Sequence, residues 1–274
     1  MKTLVTHLFP HLDDVAGLWL LKRFDPALKQ ARMRFMPTAA GGVKLPASEI
    51  GVGVGRGRYD EHKGDKKDSA TSLIWKDLKR RGHLPAGRRG RAVAALADYV
   101  KRGDLGQFIG RPENFFNESA ILQLIAGLKG EDSLSATETG FRLLDARLIM
   151  QEQRLAIEDA VRRGRRFMTR WGKGIGLTVE AIPQVVSSYT AETGYAVIAL
   201  AHPTGKYLHV RANPRSKADL TRLAKEVMAN EPDGAWYFHH SKKMLIHGDL
   251  VAPTKSRSRY NLKDMTRLIK KFYA

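Results

Sequence analysis

The chain has no cysteine among its 274 residues. That absence excludes disulfides, thiolate metal sites and cysteine nucleophiles, and it suits a reducing interior. Any metal must be held by His, Asp or Glu. No apolar run approaches the ~18 residues of a bilayer-spanning helix. The first residues also lack a basic region leading into an apolar stretch with a small-residue cleavage site. The expectation is a soluble cytoplasmic protein. Acid is scarce: 28 Asp and Glu face 47 Lys and Arg, which leaves a formal charge of +19 and a pI near 10.2. An excess of this size points to a polyanionic partner gripped through phosphate contacts and counterion release. Nucleic acid leads, with a membrane surface behind it. The sequence shows no internal repeat and no low-complexity tract. Its one glycine-rich stretch, residues 51–57, opens no helix and is a poor dinucleotide fingerprint, so nucleotide cofactors are discounted.

The length exceeds the usual single domain of about 100–200 residues. Leu4, Val5 and Thr6 form a short β-prone run, and residues 15–24 have helical spacing. Further strands are predicted over 31–36 and 50–54, and helices over 69–81 and 91–101. A polar loop at 130–137 precedes a long helix expected from 138 to about 170, its stripe formed by Phe141, Leu144, Leu148, Leu155, Ile157 and Val161. Glycines at 172, 174 and 176 then change the composition. Strands are predicted over 177–186, 195–201, 207–212 and 235–238, with helices over 217–229 and 262–272. The fold class is therefore α/β. A domain with a mostly parallel sheet flanked by helices covers 1–171, and a smaller α+β domain covers 172–274.

Chemistry concentrates in Thr6-His7-Leu8-Phe9-Pro10-His11-Leu12-Asp13-Asp14, on a strand-to-helix turn, where open α/β sheets place ligands. His11 and Asp13 can share a direction in an extended segment while His7 returns from the strand end. The plainer reading makes His7 a satisfied strand-end histidine and Asp13 or Asp14 a helix cap. A second cluster, Asp60-Glu61-His62, follows the glycine-rich turn. Together the two supply mixed oxygen and nitrogen donors of the kind that hold Mn²⁺, Mg²⁺ or Fe²⁺. Asp104, in Lys101-Arg102-Gly103-Asp104-Leu105-Gly106, is either a third contributor or a turn aspartate.

The order of these motifs resembles the DHH phosphoesterase superfamily, and within it the metal-dependent hydrolase family named for the melanocyte proliferation gene product. Thr6-His7 with His11-Leu12-Asp13-Asp14 is similar to that family's opening Thr-His and His-x-Asp-Asp/Glu. Arg58-Tyr59-Asp60-Glu61-His62 resembles its Arg-Tyr-Asp-His-His segment. Ser69-Ala70-Thr71-Ser72-Leu73-Ile74-Trp75 is similar to its Ser-Ser-Ala-Gly-Leu-Ile-Tyr helix, and Gly103-Asp104-Leu105-Gly106 to its Val-Asp-Asn-Gly. Near the end, the stretch from Gly234 through His239-His240-Ser241 resembles a Gly-x-x-Phe-Val-His-x-Ser pattern. Two positions depart. Val52-Gly53-Val54-Gly55 stands where the family has Val-Asp-Val-Gly, so the carboxylate expected to bridge two metal ions is absent. Glu61 replaces the first histidine of the triplet.

The resemblance implies Mn²⁺ or Mg²⁺ held by His7, His11, Asp13, Asp60 and Asp104, a proton handled by His62 or Glu61, and a phosphoryl group neutralised by arginines and His239. The basic runs 79–91 and 162–173 are expected to track a phosphate backbone into a cleft between the domains. Arg80, Arg81, Arg88, Arg89, Arg165, Arg166, Lys255 and Arg257 are the contacts predicted there. Trp171, Tyr207, Tyr237 and Phe238 are candidates for base stacking, although strand aromatics are more often core. The favoured activity is an exonuclease on single-stranded RNA, DNA or short oligonucleotides. A non-catalytic nucleic-acid-binding protein of the same fold and a small-molecule phosphatase remain open alternatives, as does the oligomeric state, a homodimer included.

Overall fold

The computed structural model describes residues 2–37, 43–63, 67–109, 120–130, 132–234, 236–249 and 257–274. It is an α/β protein of two compact units, Met1–Glu152 and Gln153–Ala274.

In the first unit, β1 (Thr3–His7) lies between β2 (Arg32–Met36) and β3 (Glu49–Gly51), both parallel to it. Leu4, Val5 and Thr6 are buried, as strands of a parallel sheet generally are because helices cover them. Thr6 is tolerated because its hydroxyl donates to the Val52 carbonyl at 2.9 Å. After β1 the chain turns into α1 (Leu12–Phe24), which is buried without interruption from Leu12 to Leu21. It packs against α2 (Ala70–Arg80), α3 (Gly87–Asp104) and α4 (Ala120–Gly127). The long α5 (Ser133–Arg163) runs across the division of the two units. Asp145 on this helix accepts from the Trp19 indole at 2.8 Å, which fixes α5 against α1.

In the second unit, six strands follow the order β4-β5-β6-β7-β9-β8. These are β4 (Arg165–Thr169), β5 (Gly172–Thr178), β6 (Val197–Ala201), β7 (Leu208–Ala212), β8 (Trp236–Phe238) and β9 (Met244–His247). Only β5 and β6 pair in parallel, and α6 (Pro183–Glu192) connects them. The helices α7 (Thr221–Asn230) and α8 (Leu262–Tyr273) complete the unit. On α8, Met265, Leu268, Ile269 and Tyr273 are buried in the core with Val197, Val210, Leu223 and Leu245, the i, i+3, i+4 spacing of an amphipathic helix.

Three sequence expectations are corrected. Residues 165–169 are strand, not the end of the long helix. The break falls at Gly164, where a Cβ would lie 2.7 Å from the ends of both the Ile175 and Leu177 side chains, so glycine lets the chain pass close to the sheet without displacing them. Residues 183–192 form a helix where a strand over 177–186 was expected. Pro183 starts it, because its fixed φ and missing N–H suit a first helical turn; the β-branched Val185 and Val186 disguised it. The strand β9 and the helix α4 had no counterpart in the sequence reading. The compositional change at 172 coincides with the first residue of β5.

Candidate metal centre

Three backbone N–H groups of the 7–14 turn are pinned from outside or across it, and this holds its side chains in place. Leu8 N–H donates to Met36 O at 2.7 Å, Phe9 N–H to Ser133 Oγ at 3.0 Å and His11 N–H to Asp14 Oδ2 at 3.1 Å. Pro10 has no N–H to satisfy. Asp14 sits in the first turn of α1, where a carboxylate is favoured by the helix dipole. It also receives His7 Nδ1 at 3.3 Å. This hydrogen bond raises the His7 pKa above its ordinary value, against the opposing effect of burial. Because Nδ1–H faces the carboxylate, the Nε2 lone pair of neutral His7 is left for another partner, the arrangement that orients metal-binding imidazoles.

Asp13 is 5% exposed. Its two oxygens accept the Ala70 and Thr71 N–H groups at 2.8 and 3.1 Å, at the N-terminus of α2. Burial nevertheless pushes its pKa up, ahead of the hydrogen bonds from Ser69 and Thr71 that pull it down. The plain capping role and the functional one therefore coincide in this residue: Asp13 caps α2, not its own helix.

The second cluster is built around one turn. Asp60 Oδ2 accepts from Arg56 N–H at 2.7 Å, while Oδ1 lies 3.0 Å from His62 Nδ1 and 3.1 Å from His62 N. Asp60 thus shapes the turn and orients His62. Glu61 is different. Its Oε2 is buried and has no hydrogen-bond partner among the described residues. Burial, with the Asp13 and Asp104 charges among the further causes, pushes its pKa up to about 7. Asp104, at the end of α3 on the rim of the site, is pushed up to about 6 by desolvation and then by the Asp13 and Asp14 charges.

These segments converge. One oxygen each of Asp13, Glu61 and Asp104 lies within 4.8 Å of the others, as does one ligand atom each of Asp60, Glu61 and His62. The His7 ring is 6.4 Å from both the His11 and His62 rings, centre to centre. A pocket of about 210 Å³ adjoins, lined by Pro10, His11, Leu12, Asp13, Val100, Gly103, Asp104 and Ala126. Sequence reasoning missed its apolar wall; the available signal was the Val100–Asp104 spacing, which puts both on one helix face.

Gly53 also lies here. It has φ of +67°, and a Cβ would stand 2.5 Å from Asp14 Oδ1. An aspartate at this position would clash with Asp14 and strain the backbone. Position 53 therefore adds no carboxylate to this cluster.

The predicted phosphate contacts divide. Arg88, Arg165, Arg166 and Arg257 are exposed, as is Arg89, whose Nη1 lies 3.6 Å from Glu152 Oε1. Arg80 is exposed but paired with Asp77 at 2.5 Å. Arg81 is mostly buried, binding Asp25 at 2.8 Å and Asp77 at 3.0 Å, and is a structural ion pair. Lys255 lies outside the described residues. Tyr207 is core, its hydroxyl donating to Val179 O at 2.6 Å. Trp171 packs on Tyr273 with ring centres 4.5 Å apart, and Phe238 packs against the core. Tyr237 is exposed. His239, in the second unit, has its Nδ1 2.8 Å from Ser241 Oγ and its ring 4.0 Å from that of His240.

No helix among the described residues is long and apolar enough to cross a membrane. No known protein family matches the chain, and no curated protein matches it. Among solved structures it is similar to an uncharacterized protein from Helicobacter pylori, at 11% identity and a TM-score of 0.28 over 99% of both chains. It is similar to RecJ from Thermus thermophilus in complex with Mg²⁺, at 15% identity and a TM-score of 0.30 over 99% of this chain and 49% of that one. It is also similar to a manganese-bound exonuclease RecJ, at 12% identity and 0.30 over 99% and 90%. Similarity at this level assigns neither a family nor an activity.

Proposed function

We propose that this protein is a divalent-metal-dependent phosphoesterase acting on single-stranded nucleic acid, with Mn²⁺ or Mg²⁺ held in the N-terminal unit. The observation that carries the reading is the convergence of Asp13, Glu61 and Asp104 oxygens within 4.8 Å. Carboxylates this close repel one another, and a cation is the simplest way to relieve them. The fit is supported by the orphaned Glu61 Oε2 and by a donor set of hard oxygens with imidazole nitrogens, which suits these metals. Bound there, the metal would lower the pKa of a water and neutralise phosphoryl oxygens.

The chain's own residues have distinct tasks. Asp14 orients His7, Asp60 orients His62, and Asp13 is fixed by α2. Glu61 takes over the carboxylate that position 53 cannot carry, because both Asp14 oxygens already face His7 and the His11 N–H. His62, 68% exposed and 3.0 Å from Asp60, is placed to take or give a proton. The exposed arginines and the charge of +19 favour a phosphate backbone over an isolated small anion. Exonuclease action is the favoured subclass.

Gly53 favours one second reading, a nucleic-acid-binding protein without catalysis. The test is hydrolysis of 5′- and 3′-labelled single-stranded RNA and DNA with and without Mn²⁺, beside an Asp13→Ala protein. Metal-dependent shortening from one end that Asp13→Ala abolishes is the expected result. Salt-sensitive binding without cleavage would select the second reading, and cleavage indifferent to Asp13→Ala would remove the proposal.

A further inference from the structure

Three non-glycine residues among those described have left-handed backbone: Phe9 at φ +53°, Arg56 at +49° and Lys242 at +59°. For a bulky aromatic this conformation is a true outlier, and such strain persists only where surrounding structure enforces it. At Phe9 the enforcement is visible: hydrogen bonds pin the Leu8, Phe9 and His11 N–H groups to Met36, Ser133 and Asp14, and Pro10 follows directly. Yet the phenyl ring is left well short of burial. Phe9 is 44% exposed and its neighbour Leu8 42%, and Phe9 has no ring partner among the described residues. Glycine would satisfy the same backbone without strain.

Position supplies the missing reason. Phe9 lies between His7 and His11, one residue before Pro10, which lines the pocket together with Leu12, Val100, Ala126 and the carboxylates Asp13 and Asp104. Strongly polar chemistry and an apolar wall thus share one site, and an exposed aromatic stands in the turn that joins them. An inorganic or sugar phosphate has no use for such a wall. A nucleotide does, since its phosphate belongs with the cation and its base with apolar and aromatic surface.

We infer that Phe9 is a stacking platform for the base next to the scissile phosphate, so that the substrate is a nucleotide chain read by its base faces and not by its phosphates alone. The inference rests on the proposed metal-dependent reading of the same site and adds a substrate-positioning residue to it. Stacking of this kind tolerates every base, because each has a π-face.

The test is a ratio of affinities. Binding of a single-stranded oligothymidylate and of an abasic strand of equal length is measured by fluorescence anisotropy in Ca²⁺ at fixed salt, for the whole chain and for Phe9→Gly and Phe9→Trp. Glycine adopts the required backbone freely, so Phe9→Gly removes the ring without threatening the fold. The wild type is expected to prefer the base-bearing strand by about fivefold or more. That ratio should fall towards one in Phe9→Gly and persist in Phe9→Trp. A wild-type ratio of one, or a Phe9→Gly ratio equal to the wild type's, overturns the inference. If Mn²⁺-dependent shortening of strands survives that result, the proposed function stands without the stacking role. If the wild type neither binds nor shortens either strand, both fall.

Discussion

The two units bury ionisable groups in opposite ways. In the first, Asp13, Glu61 and Asp104 crowd together and all three have pKa values raised above the ordinary carboxylate range. In the second, the buried imidazoles of His202, His209 and His247 and the Arg211 guanidinium have pKa values lowered by burial, and the buried Glu231 carboxyl is held below its ordinary value, against burial, by hydrogen bonds from Trp236, Arg259 and Ser258. His209 shows how the second kind is settled internally. Its Nε2–H donates to Gly248 O at 2.6 Å, and its Nδ1 accepts from Arg211 Nε at 3.4 Å. This neutral ring satisfies both neighbours, and its pKa is lowered to about 4. In the carboxylate cluster Asp13 is met by two backbone N–H groups, but Glu61 Oε2 has no such internal partner among the described residues. Like charges that a proton or a cation relieves belong to a binding site, whereas a neutral imidazole engaged at both ring nitrogens, as His209 is, belongs to the architecture.

The comparison breaks first at Asp13. Asp13→Asn should abolish metal-stimulated hydrolysis while lowering stability by only about 1 kcal/mol, since an amide oxygen can still accept from the α2 N-terminus. Labelled-strand hydrolysis beside urea denaturation separates the two effects.

Next comes pH. Glu61 is raised from 4.5 to about 7, so the folded chain holds its proton more firmly than the unfolded chain does. Its contribution to stability is complete below about pH 4.5 and is lost as pH rises through about 7. His209 has the opposite sign: lowered from 6.5 to about 4, it contributes fully above pH 6.5 and loses that contribution as pH falls through about 4. In chelator, amide exchange should therefore show protection near Glu61 weakening as pH rises and protection of β7 weakening as it falls. Glu61→Gln should remove the first trend and leave the second. The same direction for both would erase the distinction between the units.

Among the arginines, Arg81→Ala should cost about 1–3 kcal/mol, because it leaves the buried Asp25 carboxylate without its partner. Arg88→Ala and Arg165→Ala should change stability by under about 0.5 kcal/mol. Each should instead lower the slope of log affinity against log salt by about one if it contacts phosphate. Oligonucleotide titrations at several salt concentrations test this smallest effect.

Much of the first unit was legible because its signals are local. The β-prone run before His7, the helical spacing after Asp14 and the periodicity over 69–81 all lie within a few residues of what they encode. The convergence of residues 7–14, 60–62 and 104 was legible only through motif order, since no periodicity links segments so far apart. What stayed hidden depends on three-dimensional neighbours. Gly164, just past the helix end, sits close against Ile175 and Leu177, and Arg81 turns inward because Asp25 is there. Glu61 matters because it lies against carboxylates and its buried Oε2 meets no donor among the described residues. Phe9 was read past because strain has no sequence signature when the residue is not glycine.

The central claim is that the carboxylate cluster is a cation site, and the most direct measurement is the Mn²⁺ dependence of thermal unfolding near pH 7.5 for the wild type, Glu61→Gln and Asp104→Asn. A cation that binds only the folded chain at 100 times its Kd stabilises it by about 2.7 kcal/mol. The account predicts a saturable rise in the wild-type Tm that is much reduced in both variants. An unchanged wild-type Tm, or an equal rise in all three proteins, would contradict it.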